Sequence, residues 1–376
     1  MSDKQPVGKG TGKYSQTKRI FRRVMKLLAL LLVLMYLLVC LSPWLPPASF
    51  WFAAVLGYGF PFLLAAVLLA LLVLIIRRSR LAFVPLVLLL LGFQQIRAAI
   101  AFHFGAADFR TEKKQGSLRV MLWNVSAWDQ TPKAGKEFAS FRNLMMDAVQ
   151  QQQADVLCFQ EFFEPSNSKY FDSNIEELRK MGYSYHHFYP KSVTYSGRRL
   201  VGLIILSKYP IVDSATVRFA NTPHSEGLVS ADIKVNDKTV RVFSTHLESS
   251  RTSGRGAGNV AGKAKNVLSR LKQAYYYRQP QAELVKQAVE ASPYPAVLCA
   301  NLGDIPNSWS YFKVKGNMDD AFLKKGAGFG RTYRFLSPTV RVDYIFAGNG
   351  LRVDQFNIPG VTYSDHYPLV CDLLLD

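Results

Sequence analysis

The chain has 376 residues, a formal net charge of +19 and four cysteines, so it is long for a single domain and is not held together by a disulfide framework. Residues 1–104 carry 12 Lys or Arg and one acidic residue, Asp3, which leaves a net charge of +8 for the rest of the chain. Much of the positive charge therefore flanks apolar segments, and the remainder only mildly favours a polyanionic surface or substrate.

Three apolar segments in this first part are long enough to cross a bilayer, whose core of about 30 Å needs roughly 20 helical residues. We place them at residues 25–43, 50–76 and 81–104. The first continues into SPWLPP instead of a small-residue cleavage site, which favours a retained anchor over a signal peptide. The third is the weakest, because Gln94, Gln95 and Arg97 interrupt it. The sequence predicts an N-terminal three-helix transmembrane anchor, which fits a transporter or channel poorly.

Basic residues around these segments predict the orientation of the chain. They lie near the end of a basic tail, residues 1–24, and in the turn after the second segment, at Arg77, Arg78 and Arg80. Positive loops stay in the cytoplasm. Three crossings then place everything after residue 105 outside it, which for an inner or plasma membrane protein of a bacterial host is the periplasm or the cell exterior. Two crossings would instead leave the domain after residue 105 in the cytoplasm.

A polar linker at 105–117 precedes a domain at 118–376 in which strand and helix signals alternate. Short apolar runs such as LRVMLWNV and AVLCAN predict the strands. Helical spacing occurs at 138–152, 174–181 and 261–291, the last broken near Pro280. Strands that are apolar at nearly every position are buried on both faces, which predicts an α/β fold of stacked sheets covered by helices.

The cysteines are interpreted as buried, reduced thiols. Cys40 lies in the first membrane segment, and Cys158, Cys299 and Cys371 each lie in an apolar, strand-like run. A bridge between Cys158 and Cys299 outside the cytoplasm stays open as an alternative.

Polar residues of the kinds that bind metal or move protons follow the apolar runs. They are Asn124, Glu161, His246, Asn301, Asp343, Asp365 and His366. Glu161 and Asp365 are suitable hard oxygen ligands for Mg²⁺. His366 is a candidate base or phosphate donor held by Asp343, and His246 offers a second imidazole. Each residue alone also has a structural explanation, since polar residues commonly end strands.

Together these positions resemble the endonuclease/exonuclease/phosphatase superfamily, with its DNase I-like fold. LWNV, QE, STHL, RVDYIF and SDHYPLV occur in the order of that family, and the resemblance covers residues 118–376. It implies a four-layered α/β sandwich of two stacked mixed β-sheets flanked by helices, and a Mg²⁺ or Mn²⁺ cofactor. It also implies the following roles: metal ligation by Glu161 and Asp365, phosphate contact by His246, an acid-paired histidine at His366 with Asp343, and an active-site position for Asn124.

One motif departs from the family. Where the family has Gly-Asp-Phe-Asn-Asp, this chain reads Ala300-Asn301-Leu302-Gly303-Asp304, so the catalytic Asp is Asn301 and the phosphate-contacting Asn is Gly303. Loss of one such group costs on the order of 10²–10³ in rate. Two compensations are open: Asp304 moves inward on a re-registered loop, or Asn301 serves as a neutral ligand or water-positioning group.

A basic stretch follows the His246 strand directly. It contributes Arg251, Arg255, Lys263 and Lys265 as candidate phosphate-binding residues. The alternative is a solvated loop that leads into a helix. Tyr275, Tyr276 and Tyr277 cannot all face one way on that helix, so we interpret them as packing residues.

The leading hypothesis is a membrane-tethered, Mg²⁺-dependent phosphoesterase that acts on a phosphodiester or phosphomonoester. Its partners would be the membrane and an anionic phosphate-containing substrate, a lipid or a nucleic acid. The alternative is a catalytically inactive pseudoenzyme that binds a phosphorylated ligand or protein at the membrane.

Overall fold

The computed structural model describes residues 11–104, 109–130, 140–167, 171–194, 197–220, 222, 225–250, 260–335 and 337–375, with the side chains of 11–15 and 260–264 outside that description. The chain divides into two compact units. The first consists of the chain up to Leu41 and Gly59–Phe93, and the second of Ser42–Tyr58 and the chain from Gln94 onward.

The helices are α1 Thr11–Leu41, α2 Trp51–Gly57, α3 Phe60–Ile76, α4 Phe83–Leu91, α5 Phe93–Ala99, α6 Arg142–Gln152, α7 Asn174–Lys180, α8 Val260–Glu290, α9 Trp309–Lys315 and α10 Ala321–Lys325. Short 3-10 helices lie at Ser42–Trp44, Arg80–Ala82 and Ser126–Asp129. The predicted break near Pro280 is wrong, because α8 continues through that residue. Proline removes one helical hydrogen bond, but Tyr275 before it and Ala282 and Val285 after it are fully buried and hold the helix together.

The first unit consists of the apolar helices α1, α3 and α4. Tyr36 of α1 is fully buried, with its ring 6.0 Å from that of Phe60. A side chain at Gly92 would collide with the Tyr36 ring, which explains the glycine after α4. Among the described residues one segment, Gln16–Trp44, is long and apolar enough to cross a membrane. There are up to three such segments if α2 with α3, bent by 67°, and Arg80–Leu91 with α5, bent by 57°, each count as one.

The unit boundaries fall elsewhere than the predicted membrane boundaries. Residues 42–58 and 94–104, which we assigned largely to membrane segments, lie in the second unit. Gln95 is fully buried there, and the buried guanidinium of Arg341 donates to the Ala98 carbonyl at 2.9 Å. After α5 the chain pairs as a strand at Ala101 with Gly328.

The strands are β1 Ala101–Phe102, β2 Ser117–Asn124, β3 Val156–Pro165, β4 Tyr185–Thr194, β5 Arg199–Ser207, β6 Ile211–Val217, β7 Gly227–Val235, β8 Lys238–His246, β9 Ala296–Asn301, β10 Asp319–Asp320, β11 Ala327–Gly328, β12 Asp343–Ala347, β13 Leu351–Asn357 and β14 Leu369–Leu375. One six-stranded sheet has the order β10-β12-β9-β8-β7-β6, and the other β13-β14-β2-β3-β5-β4. Both sheets are mixed, with parallel pairs at β8–β9 and β2–β3.

Successive side chains of a strand point to opposite faces of its sheet, and the buried apolar residues therefore form three layers. Leu118, Val120 and Leu122 of β2 belong to a cluster that contains residues of both sheets. Met121 and Trp123, which point the other way, pack with residues of α6 and α7. The opposite face of the other sheet packs with α8 and α9. These clusters confirm the predicted four-layered α/β sandwich, and the four cysteines are free and buried, as predicted.

Candidate active site

Three candidate residues lie side by side at one end of the first sheet. The pairing register places His246 of β8 beside Asn301 of β9, and Asn301 beside Asp343 of β12. All three side chains are buried, with exposed fractions of 1–2%. Val242, Val297 and Ile345 of the same strands lie in the core between the sheets, and the three polar side chains lie at one end of their strands.

At the end of the second sheet, Asn124 of β2 holds Glu161 of β3. The Asn124 amide donates to Glu161 Oε1 at 3.1 Å, and its Oδ1 accepts a hydrogen bond from Ser126 N at 3.0 Å. Glu161 has φ +48°, and the register of β3 shifts at this point. Residues 126–129 also have positive φ, between 45° and 55°. Runs of such strained backbone occur mostly where function requires them.

Glu226 joins the two sheet ends. Its carboxylate accepts hydrogen bonds from the backbone N–H of Glu161 at 3.0 and 3.1 Å. Its Oε2 also lies 2.9 Å from His246 Nδ1. Burial opposes protonation of the His246 ring, but the hydrogen bond and charge of Glu226 outweigh it and raise the His246 pKa. One buried carboxylate therefore orients both a candidate metal ligand and a candidate phosphate-binding histidine.

His366 forms a similar pair with Asp343. Its Nδ1 lies 2.8 Å from Asp343 Oδ2. Asp343 is held in turn by Thr332 Oγ1, which accepts a hydrogen bond from the Asp343 N–H at 3.1 Å. Burial opposes protonation of the ring, but the nearby charge of Asp343, followed by Asp365 and Glu161, raises the His366 pKa to about 9. Ser364 Oγ lies 2.7 Å from the Asn124 carbonyl oxygen and 3.2 Å from Asp365 Oδ1, which places Asp365 near the residue that holds Glu161.

Glu161 and Asp365 supply oxygen donors that suit a hard divalent cation. Both side chains are partly exposed, whereas the histidines beside them are buried. In the described part of the chain no group of three or more His, Cys, Asp and Glu side chains is arranged to hold a metal ion. Mg²⁺ is usually bound by one or two carboxylates, with water and substrate phosphates completing its shell. The donor set present therefore fits Mg²⁺ or Mn²⁺ better than a metal that needs a closed protein cage.

The departure from the family motif lies in the loop after β9, residues 301–307, which we call the altered loop. Asn301 Oδ1 accepts a hydrogen bond from the Gly303 N–H at 3.0 Å, so the amide oxygen is used within the loop. Gly303 has φ +58°, and an added Cβ would lie 3.1 Å from the Glu248 carbonyl oxygen and 3.3 Å from Arg278 Nη2. The backbone here favours glycine, and there is little room for the missing asparagine side chain.

Asp304 does not take the place of the missing acid. Its side chain is fully buried and forms an ion pair with Arg278, with Nη1 and Oδ2 3.1 Å apart. Tyr275 donates to Asp304 Oδ1 at 3.2 Å. Arg278 also donates from Nε and Nη2 to the Glu248 carbonyl, at 3.0 and 2.8 Å. The Asp304 carboxylate is buried and paired with Arg278. A re-registered loop that brought Asp304 into the site would have to break this ion pair.

A family model described as endonuclease/exonuclease/phosphatase family matches residues 123–366, from β2 to His366. The chain belongs to the endonuclease/exonuclease/phosphatase family. A second model, described as a domain of unknown function, matches residues 22–99. No curated protein gives a significant match.

One solved structure shares the fold at a TM-score above 0.5, and two others are similar at lower scores. An endonuclease/exonuclease/phosphatase from Beutenbergia cavernae is 22% identical, with a TM-score of 0.52 over 69% of this chain and 72% of that one. The human Nocturnin catalytic domain with bound sulfate is 19% identical, with a TM-score of 0.49 over 72% and 97% of the two chains. Sphingomyelinase C from Streptomyces griseocarneus is 18% identical, with a TM-score of 0.45 over 68% and 99%.

The basic stretch of this family member is only partly described. Arg251 and Arg255 lie outside the described residues, as does the Lys263 side chain. Lys265 lies on α8 with an exposed side chain. Tyr275 is fully buried whereas Tyr276 is 65% exposed, which confirms that the tyrosines do not share one face.

Sequence reasoning missed three residues that support the site. Glu226, Thr332 and Arg278 bind, respectively, the His246 ring, the Asp343 backbone and the Asp304 carboxylate. Glu226 lies one residue before β7, whereas the other candidates were selected as polar residues that follow an apolar run. Arg278 lies in the middle of the long helix α8, where no strand end marks it as a candidate.

Proposed function

We propose that this chain is a membrane-tethered, divalent-cation-dependent phosphoesterase that hydrolyses a phosphodiester or phosphomonoester. One observation carries the proposal. The ends of two sheets bring two partly exposed carboxylates, Glu161 and Asp365, together with two buried histidines that are each paired with a carboxylate. Family membership supports phosphoester hydrolysis as the reaction class. The carboxylates and the paired histidines support the assignment of that reaction to this chain.

Each polar group has a defined part in this proposal. Glu161 and Asp365 would hold Mg²⁺ or Mn²⁺, which when bound would stabilise negative charge on the phosphoryl oxygens. Asn124 keeps the Glu161 carboxylate in place through the 3.1 Å hydrogen bond to its Oε1. Since His246 and His366 use Nδ1 for their carboxylates, Nε2 is the nitrogen that each can offer to a phosphate oxygen. A paired carboxylate fixes the ring in the orientation that donation requires.

Asn301 would orient water instead of deprotonating it. An amide cannot take a proton as a carboxylate can, and its Oδ1 is already bonded to the Gly303 N–H. Its remaining group is the amide NH₂, a donor. We therefore expect an active but slow enzyme, because one preorganised group in such a site is worth on the order of 10²–10³ in rate.

The membrane anchor and the charge of the chain suggest where the substrate would be. Segment Gln16–Trp44 can cross a membrane by its length and composition. We propose that it tethers the domain on the non-cytoplasmic face of a bacterial inner or plasma membrane, with a phosphate-containing lipid or nucleic acid as substrate. Lys265, with Arg251, Arg255 and Lys263, would add positive charge for that substrate.

The test is a turnover assay of the full-length protein in detergent micelles, with Mg²⁺ or Mn²⁺ against EDTA. The substrates are a nucleic acid, phospholipids and sugar phosphates. Glu161→Gln should abolish metal-dependent turnover, whereas Glu176→Gln, on the exposed surface of α7 with 56% side-chain exposure, should leave it unchanged. Equal turnover in Glu161→Gln and the wild type, or none in any condition, would refute the proposal.

The second candidate is a pseudoenzyme that binds a phosphorylated ligand or protein. It is favoured by the altered loop, where Asn301 carries no charge and Gly303 has no side chain. Asn301→Asp, alone and with Gly303→Asn, separates the two candidates. A silent parent that gains activity would favour the pseudoenzyme, and a fall from measurable activity would favour an enzyme adapted to these residues. Asparagine is the side chain best able to tolerate φ +58° at position 303.

A further inference from the structure

The segment between α1 and α3, Ser42–Tyr58, packs on the catalytic domain. We call it the inter-span segment. Ala54 of its helix α2 is 5% exposed and lies in one apolar cluster with Leu271 and Tyr275 of α8. Helices of seven residues are unstable alone in water. The structure of α2 therefore depends on its packing against α8.

Polar contacts connect both ends of the inter-span segment to the altered loop. Ser42 Oγ donates to the Asn307 carbonyl at 2.9 Å. The Asn307 amide donates to the Gly57 carbonyl at 3.3 Å. Gly57 is also a point of close approach, because an added Cβ would lie 3.2 Å from Ile305 Cδ1 and 3.3 Å from Asn307 Nδ2. These contacts bind the segment to the end of the loop distant in sequence from Asn301.

A third contact reaches the middle of the loop. The Tyr58 hydroxyl points to the Gly303 carbonyl at 3.4 Å, a long and weak hydrogen bond. The N–H of the same Gly303 donates to Asn301 Oδ1 at 3.0 Å. The residue that orients the Asn301 amide is therefore contacted directly by the inter-span segment.

We propose that the contact face of this segment, consisting of Ser42, Ala54, Gly57 and Tyr58, is a positioning element of the active site. It fixes the altered loop and thereby the direction of the Asn301 amide. The effect on turnover rests on the proposed function. The effect on the loop does not, because a binding protein would need the same loop conformation.

Hydrogen exchange of the full-length protein in detergent micelles tests the proposal without any turnover. The measured peptides cover residues 301–308, and the variants are Ala54→Glu and Phe52→Glu. Both place the same charge on α2, but Ala54 is buried against α8 whereas Phe52 is 47% exposed. We expect exchange in the loop to become on the order of tenfold faster in Ala54→Glu, through a lower free energy of local opening, and to stay unchanged in Phe52→Glu.

Gly57→Val is the second variant, and it decides the question if Ala54→Glu fails to fold. A Cβ at position 57 already lies 3.2 Å from Ile305 Cδ1 and 3.3 Å from Asn307 Nδ2, and the two methyl groups of valine must displace these side chains, so exchange in the loop should again become faster. Where turnover is measurable, we expect kcat to fall about tenfold with little change in KM, because a displaced Asn301 affects the transition state more than substrate binding. Wild-type exchange rates of residues 301–308 in every folded variant would overturn the proposal, whether or not the protein is an enzyme.

Discussion

Arg278 and Asp304 form an ion pair in which both side chains are almost completely removed from solvent, with exposed fractions of 0% and 1%. Removal of one member of such a pair leaves an uncompensated buried charge, which costs about 3–5 kcal/mol. We expect Asp304→Ala to lower the free energy of unfolding of the catalytic domain by that amount, as measured by denaturant titration. The exposed pair of Lys180 and Glu177 provides the control, since Glu177→Ala should cost no more than about 0.5 kcal/mol. Equal losses in the two variants would contradict this assignment.

Glu226 should matter for activity as much as a direct contact with substrate would. Glu226→Gln keeps the shape of the side chain but removes the charge that raises the His246 pKa. We expect a lower His246 pKa, measured by NMR titration in the presence of EDTA, and a loss of about 10–100-fold in turnover. Glu164→Gln is a demanding comparison, because that buried carboxylate accepts hydrogen bonds from the N–H groups of Asn174 and Ile175 in α7, each at 3.0 Å. An unchanged His246 titration in Glu226→Gln would show that the pair does not form.

The pair of His366 and Asp343 should give the stability of the metal-free protein a specific pH dependence. The His366 pKa is raised in the folded state, to about 9, above an unfolded value of about 6.5. The stabilisation is therefore fully present below about pH 6.5 and is lost as the pH rises through 9. We expect the difference in unfolding free energy between wild type and Asp343→Asn to shrink between these limits in EDTA. A difference that is constant or grows over that range would contradict the assignment.

Gly303 should tolerate a side chain less well than another glycine with positive φ. Gly303 and Gly116 have φ +58° and +77°, but an added Cβ meets the Glu248 carbonyl at position 303 and nothing within 4 Å at position 116. Gly116→Ala should cost about 1 kcal/mol of unfolding free energy from the backbone alone. Gly303→Ala should cost clearly more, as measured by thermal or denaturant unfolding. Equal costs would show that the loop has room for a side chain.

The strand ends could be predicted from sequence because each apolar run stops at a polar residue. Asn124, His246, Asn301 and Asp343 were found in this way, and the sheets do bring them to the same edges. The bridge made by Glu226 could not be predicted, because it joins the strands of two different sheets and depends on how they stack. The burial of Asp304 could not be predicted either, since its partner Arg278 lies in the middle of a long helix and follows no apolar run.

The inter-span segment shows why apolar character alone does not place a helix in a membrane. Ala53, Ala54 and Gly57 are apolar or small because they pack on a protein surface. Lipid selects the same residue types, so hydropathy cannot distinguish a helix buried in protein from one buried in a bilayer. The contacts with Leu271 and Asn307 could not be predicted from these residue types.

The packing of the inter-span segment bears on how many times the chain could pass through a bilayer. Ser42–Tyr58 and the chain from Gln94 onward belong to one folded unit. We expect one folded unit to lie in one aqueous compartment, in which case residues 59–93 would cross an even number of times, either twice or not at all. The side of the membrane on which that unit lies would then depend on α1 alone.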